Sequence, residues 1–332
     1  MKTYATVSLS AVPVLGLDLA KDSFVAALRM DEQRQLMASF PNHKGGFRKL
    51  HTWLHQHFAG KVRAGMEATG IYGQALAAWL YQKGHTVHVL NPARVAAYAR
   101  SAGQRNKTDP ADARIIAAFV ATHSLPVWQP PAPAQLALQQ LCRTRHQLAA
   151  QRQQISNQLH GAAPAVRPYF EHLLAAFDAE LKRLEDALAA HLAAHPAQAE
   201  QVRRLATVPG IGIRTASVVL AELPPITPSS DPRTLCAWCG LTPTRHQSGP
   251  REGRTRLSRA GNTYLREALF MPALVAKRHN PLLRAFAERL ARNGKDHGAI
   301  LGAVAHKLLR ILIGLLRHHH DFDPNWHSLH HA

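Results

Sequence analysis

The sequence predicts an α/β domain at the N-terminus and a largely helical remainder, and three observations carry that reading. Between residues 12 and 90, short apolar runs with strand character alternate with stretches of helical spacing, which implies a sheet with covered faces. Leu125-Pro126-Val127-Trp128-Gln129-Pro130-Pro131-Ala132-Pro133 then breaks the pattern as a proline-rich boundary. Beyond it, residues 135–194 are rich in Ala, Leu, Gln and Arg, as expected of long helices. The expected division is 1–125, an α/β domain; 126–200, a helical connector; 201–317, a mainly α C-terminal domain; and 318–332, a histidine-rich tail.

At 332 residues the chain is long enough for two or three domains with real cores. Forty Lys and Arg against twenty-one Asp and Glu give a formal charge of +19, and the isoelectric point is near 10.6. Such a surplus suits a polyanion, because each neutralised phosphate releases condensed counterions. Nucleic acid fits the spread of the charge better than an anionic membrane surface does. Three cysteines and no secretory leader pattern predict a reducing, cytoplasmic compartment. The most apolar stretch, residues 299–316, carries His306, Lys307 and Arg310, so it reads as a core helix and not a membrane span.

The first domain opens as a meander. Residues 12–19, 24–30 and 36–40 are strand candidates, with Asp31-Glu32-Gln33 as a turn. Residues 45–58 have helical spacing, 62–66 form a strand delivering Glu67, 71–83 form a helix stopped by Gly84, and 85–90 alternate as a strand before Asn91-Pro92. Asp18 and Glu67 thus fall at C-terminal strand ends, where open α/β sheets keep their sites.

Lys107-Thr108-Asp109-Pro110-Ala111-Asp112-Ala113-Arg114 precedes the apolar run 115–120. Proline suits the first positions of a helix, so Asp109 falls near the N-cap and Asp112 one turn on, on the same face. A capping pair at the positive helix end explains the same spacing. Four acids in the same kind of place, Asp18, Glu67, Asp109 and Asp112, also supply what a metal-assisted phosphoryl-transfer site needs: oxygen ligands from separate elements. Arg105, Asn106 and Lys107 would then lie near a bound phosphate.

Residues 135–194, interrupted at 161–168, predict two long helices in a hairpin or short coiled coil. Leu173, Phe177, Leu181, Leu184 and Leu188 make an apolar stripe that serves internal packing or a partner helix equally well. Leu205 to Ala216, with Pro209-Gly210-Ile211-Gly212 at its centre, reads as helix, tight turn and helix. That turn is similar to the hairpin of a helix-hairpin-helix module, which offers backbone donors to phosphates; a plain interhelical turn has the same sequence features. Cys236 and Cys239 have the spacing of half a zinc site but no second pair, and read as small apolar residues in a helix. Gly240 to Pro250 is a turn-rich polar loop that holds Ser248, with Arg251, Arg254, Arg256 and Arg259 close behind for phosphate capture. The histidines from 318 on read as a frayed end, with a metal site as the rival reading.

Together, Gly16 to Lys21, Met66-Glu67-Ala68-Thr69-Gly70, Asn91-Pro92, Arg105 to Arg114, Pro209 to Gly212, and Gly240 to Pro243 with Gln247-Ser248-Gly249 resemble the DEDD transposases of the bacterial insertion-sequence group one hundred and ten. The resemblance spans nearly the whole chain in the right order. It implies a RuvC-like, RNase H-fold N-terminal domain, a helical connector and a C-terminal transposase domain. It implies Asp18, Glu67, Asp109 and Asp112 as a metal-binding tetrad for Mg2+ or Mn2+, and Ser248 as the nucleophile that makes this a DNA recombinase. It also implies a structured bridge RNA as guide, donor and target DNA as partners, a homo-oligomer whose sites combine more than one subunit, and a bacterial, nucleoid-associated location. The rival classes are a RuvC-like nuclease that needs no serine, an actin-like ATPase lacking here its Gly-rich phosphate loops, and a non-catalytic nucleic-acid-binding protein.

Overall fold

The computed structural model describes residues 12–31, 33–68, 72–104, 108–227, 230–244, 247–248, 251–252, 256–258 and 261–324, with the backbone alone over 243–256. The chain divides into two compact units, residues 1–131 and 132–332.

In the first unit β1 (Val14–Leu19), β2 (Ser23–Arg29) and β3 (Gln35–Pro41) form the expected meander. Then come α1 (Lys44–His57), β4 (Arg63–Glu67), α2 (Gln74–Gln82) and β5 (Thr86–Leu90). The five strands make one mixed sheet in the order β3-β2-β1-β4-β5. β2 runs antiparallel to both its neighbours, while β4 is parallel to β1 and to β5. This order is compatible with an RNase H-like domain. No element is predicted over 92–101, yet Asn91 caps a helix there, α3 (Pro92–Ser101), by accepting from the Ala93 N–H at 2.8 Å. α4 (Asp109–Thr122) completes the unit.

Side-chain alternation separates the two faces of the sheet. Leu15, Leu17, Ala64 and Met66 are buried with Leu50 and Leu54 of α1 and Leu76 and Leu80 of α2. Val14 on the opposite face shares a core with Ala113, Ile116, Ala117 and Val120 of α4.

The second unit begins with α5 (Pro133–His160) and α6 (Arg167–Ala194), the two long helices expected. Ion pairs from Arg145 to Glu185 (3.0 Å) and from Arg152 to Asp178 (2.5 Å) link them. Along α6 the apolar stripe is graded: Leu188 is buried, Phe177, Leu181 and Leu184 are half-buried and Leu173 is exposed. There follow α7 (Pro196–Ala206), α8 (Ile213–Glu222) and α9 (Pro232–Trp238). Four strands of two residues come next: β6 (Pro243–Thr244), β7 (Gln247–Ser248), β8 (Arg251–Glu252) and β9 (Arg256–Leu257). The unit ends with α10 (Thr263–Ala268), α11 (Phe270–His279), α12 (Pro281–Arg292) and α13 (His297–His318).

α13 contains the apolar stretch, and among the described residues it alone is long and apolar enough to cross a membrane. It is the core of this unit, with Val304, Leu308, Leu309, Leu312 and Ile313 wholly buried. The tail does not fray directly after it. Asp321 pairs with Arg203 at 2.8 Å, and the Phe322 N–H donates to Thr207 Oγ1 at 2.9 Å. Residues 325–332, with the remaining histidines, lie outside the described residues.

Burial makes the first unit acid-sensitive. The His85 ring is 5% exposed, and its Nδ1 accepts from the Val62 N–H at 3.2 Å, so this ring is neutral when folded. Desolvation, helped by Lys61, His51 and His55, pushes its pKa down from 6.5 to about 4. Burial also lowers His88. A depressed folded pKa means that the unfolded chain takes up the proton first. Stability is therefore full above about pH 6.5 and falls by up to about 3 kcal/mol for His85 as the pH drops toward 4. Amide exchange followed from pH 7 to pH 4 should show β4 and β5 loosening over that window; protection that does not change contradicts this.

Candidate active site

The register Leu17↔Met66 makes Asp18 and Glu67, one residue on, neighbours at the C-terminal edge of two parallel strands. Leu17 and Met66 point into the core under α1 and α2, so the next side chains turn to the opposite face, under α4. There the helix lies on the strand backbone. A Cβ on Gly16 would stand 2.1 Å from the Ala113 carbonyl oxygen and 2.5 Å from the Ala117 nitrogen, and one on Gly65 2.3 Å from Val120 Cγ2. Arg63, level with Val14 in the sheet, donates from Nη2 to the Val120 carbonyl at 2.7 Å. α4 thus runs against β1, and its first turn lies toward the strand ends that carry Asp18 and Glu67.

That first turn holds Asp109 and Asp112. The N-cap is Thr108, so Asp109 is the first helical residue and not the cap. Thr108 makes no side-chain cap bond; its carbonyl accepts from the Asp112 N–H at 2.9 Å. Asp109 is exposed, whereas Asp18, Glu67 and Asp112 are half-buried. Two of the acids thus end neighbouring strands and the other two stand in the first turn of the helix that covers that face. They do not close into a ready ligand set: among the described residues no group of three or more His, Cys, Asp or Glu stands close enough to hold one ion. Arg105 and Lys107 lie outside the described residues.

In the second unit, the turn between α7 and α8 places Gly210 at φ +99°. A Cβ there would come within 3.1 Å of the α11 backbone at Pro272 and Ala276, so this turn is seated on a neighbouring helix. Gly212 is exposed, a Cβ there would meet nothing within 4 Å, and α8 starts without a side-chain cap.

Ser248 lies in a strand and not in an irregular loop: β7 pairs with β8, with Ser248 opposite Arg251, and β6 pairs with β9, with Thr244 opposite Arg256. Ladders of two residues are too short to show a period in sequence, which is why turn chemistry dominates the reading there. Arg254 and Arg259 lie outside the described residues. Burial pushes the thiols of Cys236 up to about 11 and of Cys142 and Cys239 up to about 12, so all three remain protonated.

Residues 15–168 match the transposase family of IS110 DEDD type, and residues 202–288 match the family described as Transposase IS116/IS110/IS902. The chain belongs to the IS110 family of transposases. It is 29% identical over 318 residues to the pilin gene-inverting protein of Moraxella bovis, covering 95% of this chain and 98% of that one. It is 25% identical over 304 residues to the transposase for insertion sequence element IS1111A of Coxiella burnetii, covering 82% and 80%. Transposases act on DNA, the kind of polyanion that a charge of +19 suits. The acid-bearing edge and the Ser248 hairpin both lie within the matched ranges.

The structure of this transposase adds polar residues that the sequence did not single out. Gln104, just after α3, donates from Nε2 to Asp112 Oδ1 at 3.0 Å. Glu222, at the end of α8, has a wholly buried side chain clasped by Arg143 of α5. A lone Glu in an amphipathic helix carries no signal of burial, because its partner Arg143 is 79 residues away. In the transposase, the close seating of α4 is testable. Gly16→Ala forces a methyl into the helix backbone and should cost roughly 1–3 kcal/mol, read as a lowered urea midpoint together with lost DNA cleavage; an unchanged midpoint overturns the close contact.

Proposed function

We propose that this transposase cuts and rejoins DNA with Ser248 as nucleophile and with Asp18, Glu67, Asp109 and Asp112 as the holders of Mg2+ or Mn2+, guided by a structured bridge RNA and working as a homo-oligomer. The observation that carries the reading is the shared edge: two strand-end acids beside each other, under the first turn of the helix that bears the other two. Four carboxylates are an all-oxygen donor set, which suits a hard divalent cation. When bound, such an ion would neutralise charge on the scissile phosphate.

The protein's own groups do the rest. Gln104 holds one oxygen of Asp112 and so orients its carboxylate. Ser248 Oγ attacks phosphorus: an Oγ–P bond forms, one bridging P–O bond breaks, the hydroxyl proton is lost and the departing sugar oxygen takes up a proton. The phosphodiester energy is kept in the serine ester, so rejoining needs no external energy source. Arg251, Arg254, Arg256 and Arg259, which follow Ser248 in the sequence, and Arg105 and Lys107, which precede Asp109, bind phosphates, and the Gly210–Gly212 turn offers backbone N–H groups to a DNA strand. Nucleic acid on both sides, donor and target DNA with the guide, accounts for the basic surplus.

A denaturing gel should show DNA linked covalently to the native protein. The adduct should vanish in Ser248→Ala, and Asp109→Asn with Asp112→Asn should abolish cleavage while DNA binding is kept. Cleavage undiminished in Ser248→Ala would leave a metal-dependent nuclease in place of a serine recombinase. Sequencing the RNA that co-purifies with the transposase from its host should return one structured species; background transcripts alone would remove the guide from this proposal.

A further inference from the structure

We propose that Glu222 is a positioning residue for the Ser248 hairpin, acting through Asn262. The two roots of the hairpin meet at one place. A Cβ on Gly261 (φ +151°) would lie 2.4 Å from the Trp238 carbonyl oxygen and 2.5 Å from the Gly240 nitrogen, so the chain entering the hairpin and the chain leaving it pack backbone to backbone. The Ser258 N–H donates to the Thr242 carbonyl at 2.8 Å, and the Asn262 N–H donates to the Trp238 carbonyl at 3.3 Å.

Asn262 is where this junction is tied to the rest of the unit. Its Oδ1 caps α10 by accepting from the Leu265 N–H at 3.0 Å, and its Nδ2 donates to Glu222 Oε2 at 2.6 Å. Glu222 is itself immobilised. Arg143 donates to both its oxygens, Nε to Oε1 at 2.6 Å and Nη2 to Oε2 at 2.8 Å, in the fork geometry that fixes a carboxylate plane. The Arg143 guanidinium also stacks 4.8 Å from the Tyr264 ring of α10. Gln135 and Gln139 of α5 satisfy the last carbonyls of α8, at Leu220 (2.7 Å) and Ala221 (3.3 Å). A charge buried this completely is costly, and a cheaper apolar contact could join three helices. The hydrogen bonds instead fix the direction from which the hairpin leaves the helices, and a nucleophile carried at its far end needs that direction held.

This rests on the reading of Ser248 as the reacting residue, and its test is separable from that reading. Asn262→Asp keeps the α10 cap but sets a carboxylate against Glu222. It should speed amide exchange at Ser258 and residue 262 and lower the DNA cleavage rate by roughly tenfold or more, the factor expected for losing one charge-assisted hydrogen bond. DNA binding and the exchange of the α13 core should stay as in the native protein. Native cleavage and native root exchange in Asn262→Asp overturn the proposal. So does a loss that comes with loosening of the α13 core. Ser248→Ala judges the nucleophile by itself; the root exchange of Asn262→Asp decides the positioning role whichever group attacks.

Discussion

The contact between α4 and the backbone of β1 and β4 is the constraint on which the acid-bearing edge depends. Gly16 lets the α4 backbone settle on β1 at Ala113 and Ala117, and Gly65 makes room on β4 for the Val120 and Ile116 side chains of the same helix. That closeness fixes the height and the direction of α4, and so brings Asp109 and Asp112 to the end of the sheet where Asp18 and Glu67 emerge. The acids are ordinary by themselves. Their common address comes from small residues that have no chemistry at all.

The second unit follows a different principle. Its centre is the apolar helix α13, against which buried residues of α7, α9, α11 and α12 are gathered. Polar devices sit at the margin of this core: Glu222 with Arg143 on one side, Asp321 with Arg203 on another. The exposed pair contributes little to stability, since water and salt screen it. The buried one matters chiefly for geometry, because an unpaired charge at Glu222 would be intolerable and its partners must therefore stay in place.

Much of the first unit was legible because strands and amphipathic helices announce themselves through periods of two and of about 3.6 residues. β1 to β5, α1, α4 and the long pair α5 and α6 all fall where those periods put them. α3 escaped because its apolar spacing is weak and only Val95 is buried. The hairpin around Ser248 escaped because ladders of two residues have no period. Residues 319–324 read as a loose end because histidines say nothing of a dock, which needs Arg203 and Thr207 from another helix.

The sequence by itself determined the five-stranded sheet's strands, most of the long helices, the basic surplus, the strand-end and helix-start acids and the family resemblance, since each is carried by residue types and their spacing along the chain. Tertiary structure alone decided that Asp18 and Glu67 share a face with the first turn of α4, that Ser248 belongs to a hairpin with a closed root, and that Glu222 is buried. The reason is physical: register, face and burial are set by contacts between segments tens of residues apart, and no local pattern encodes which segment will supply the partner.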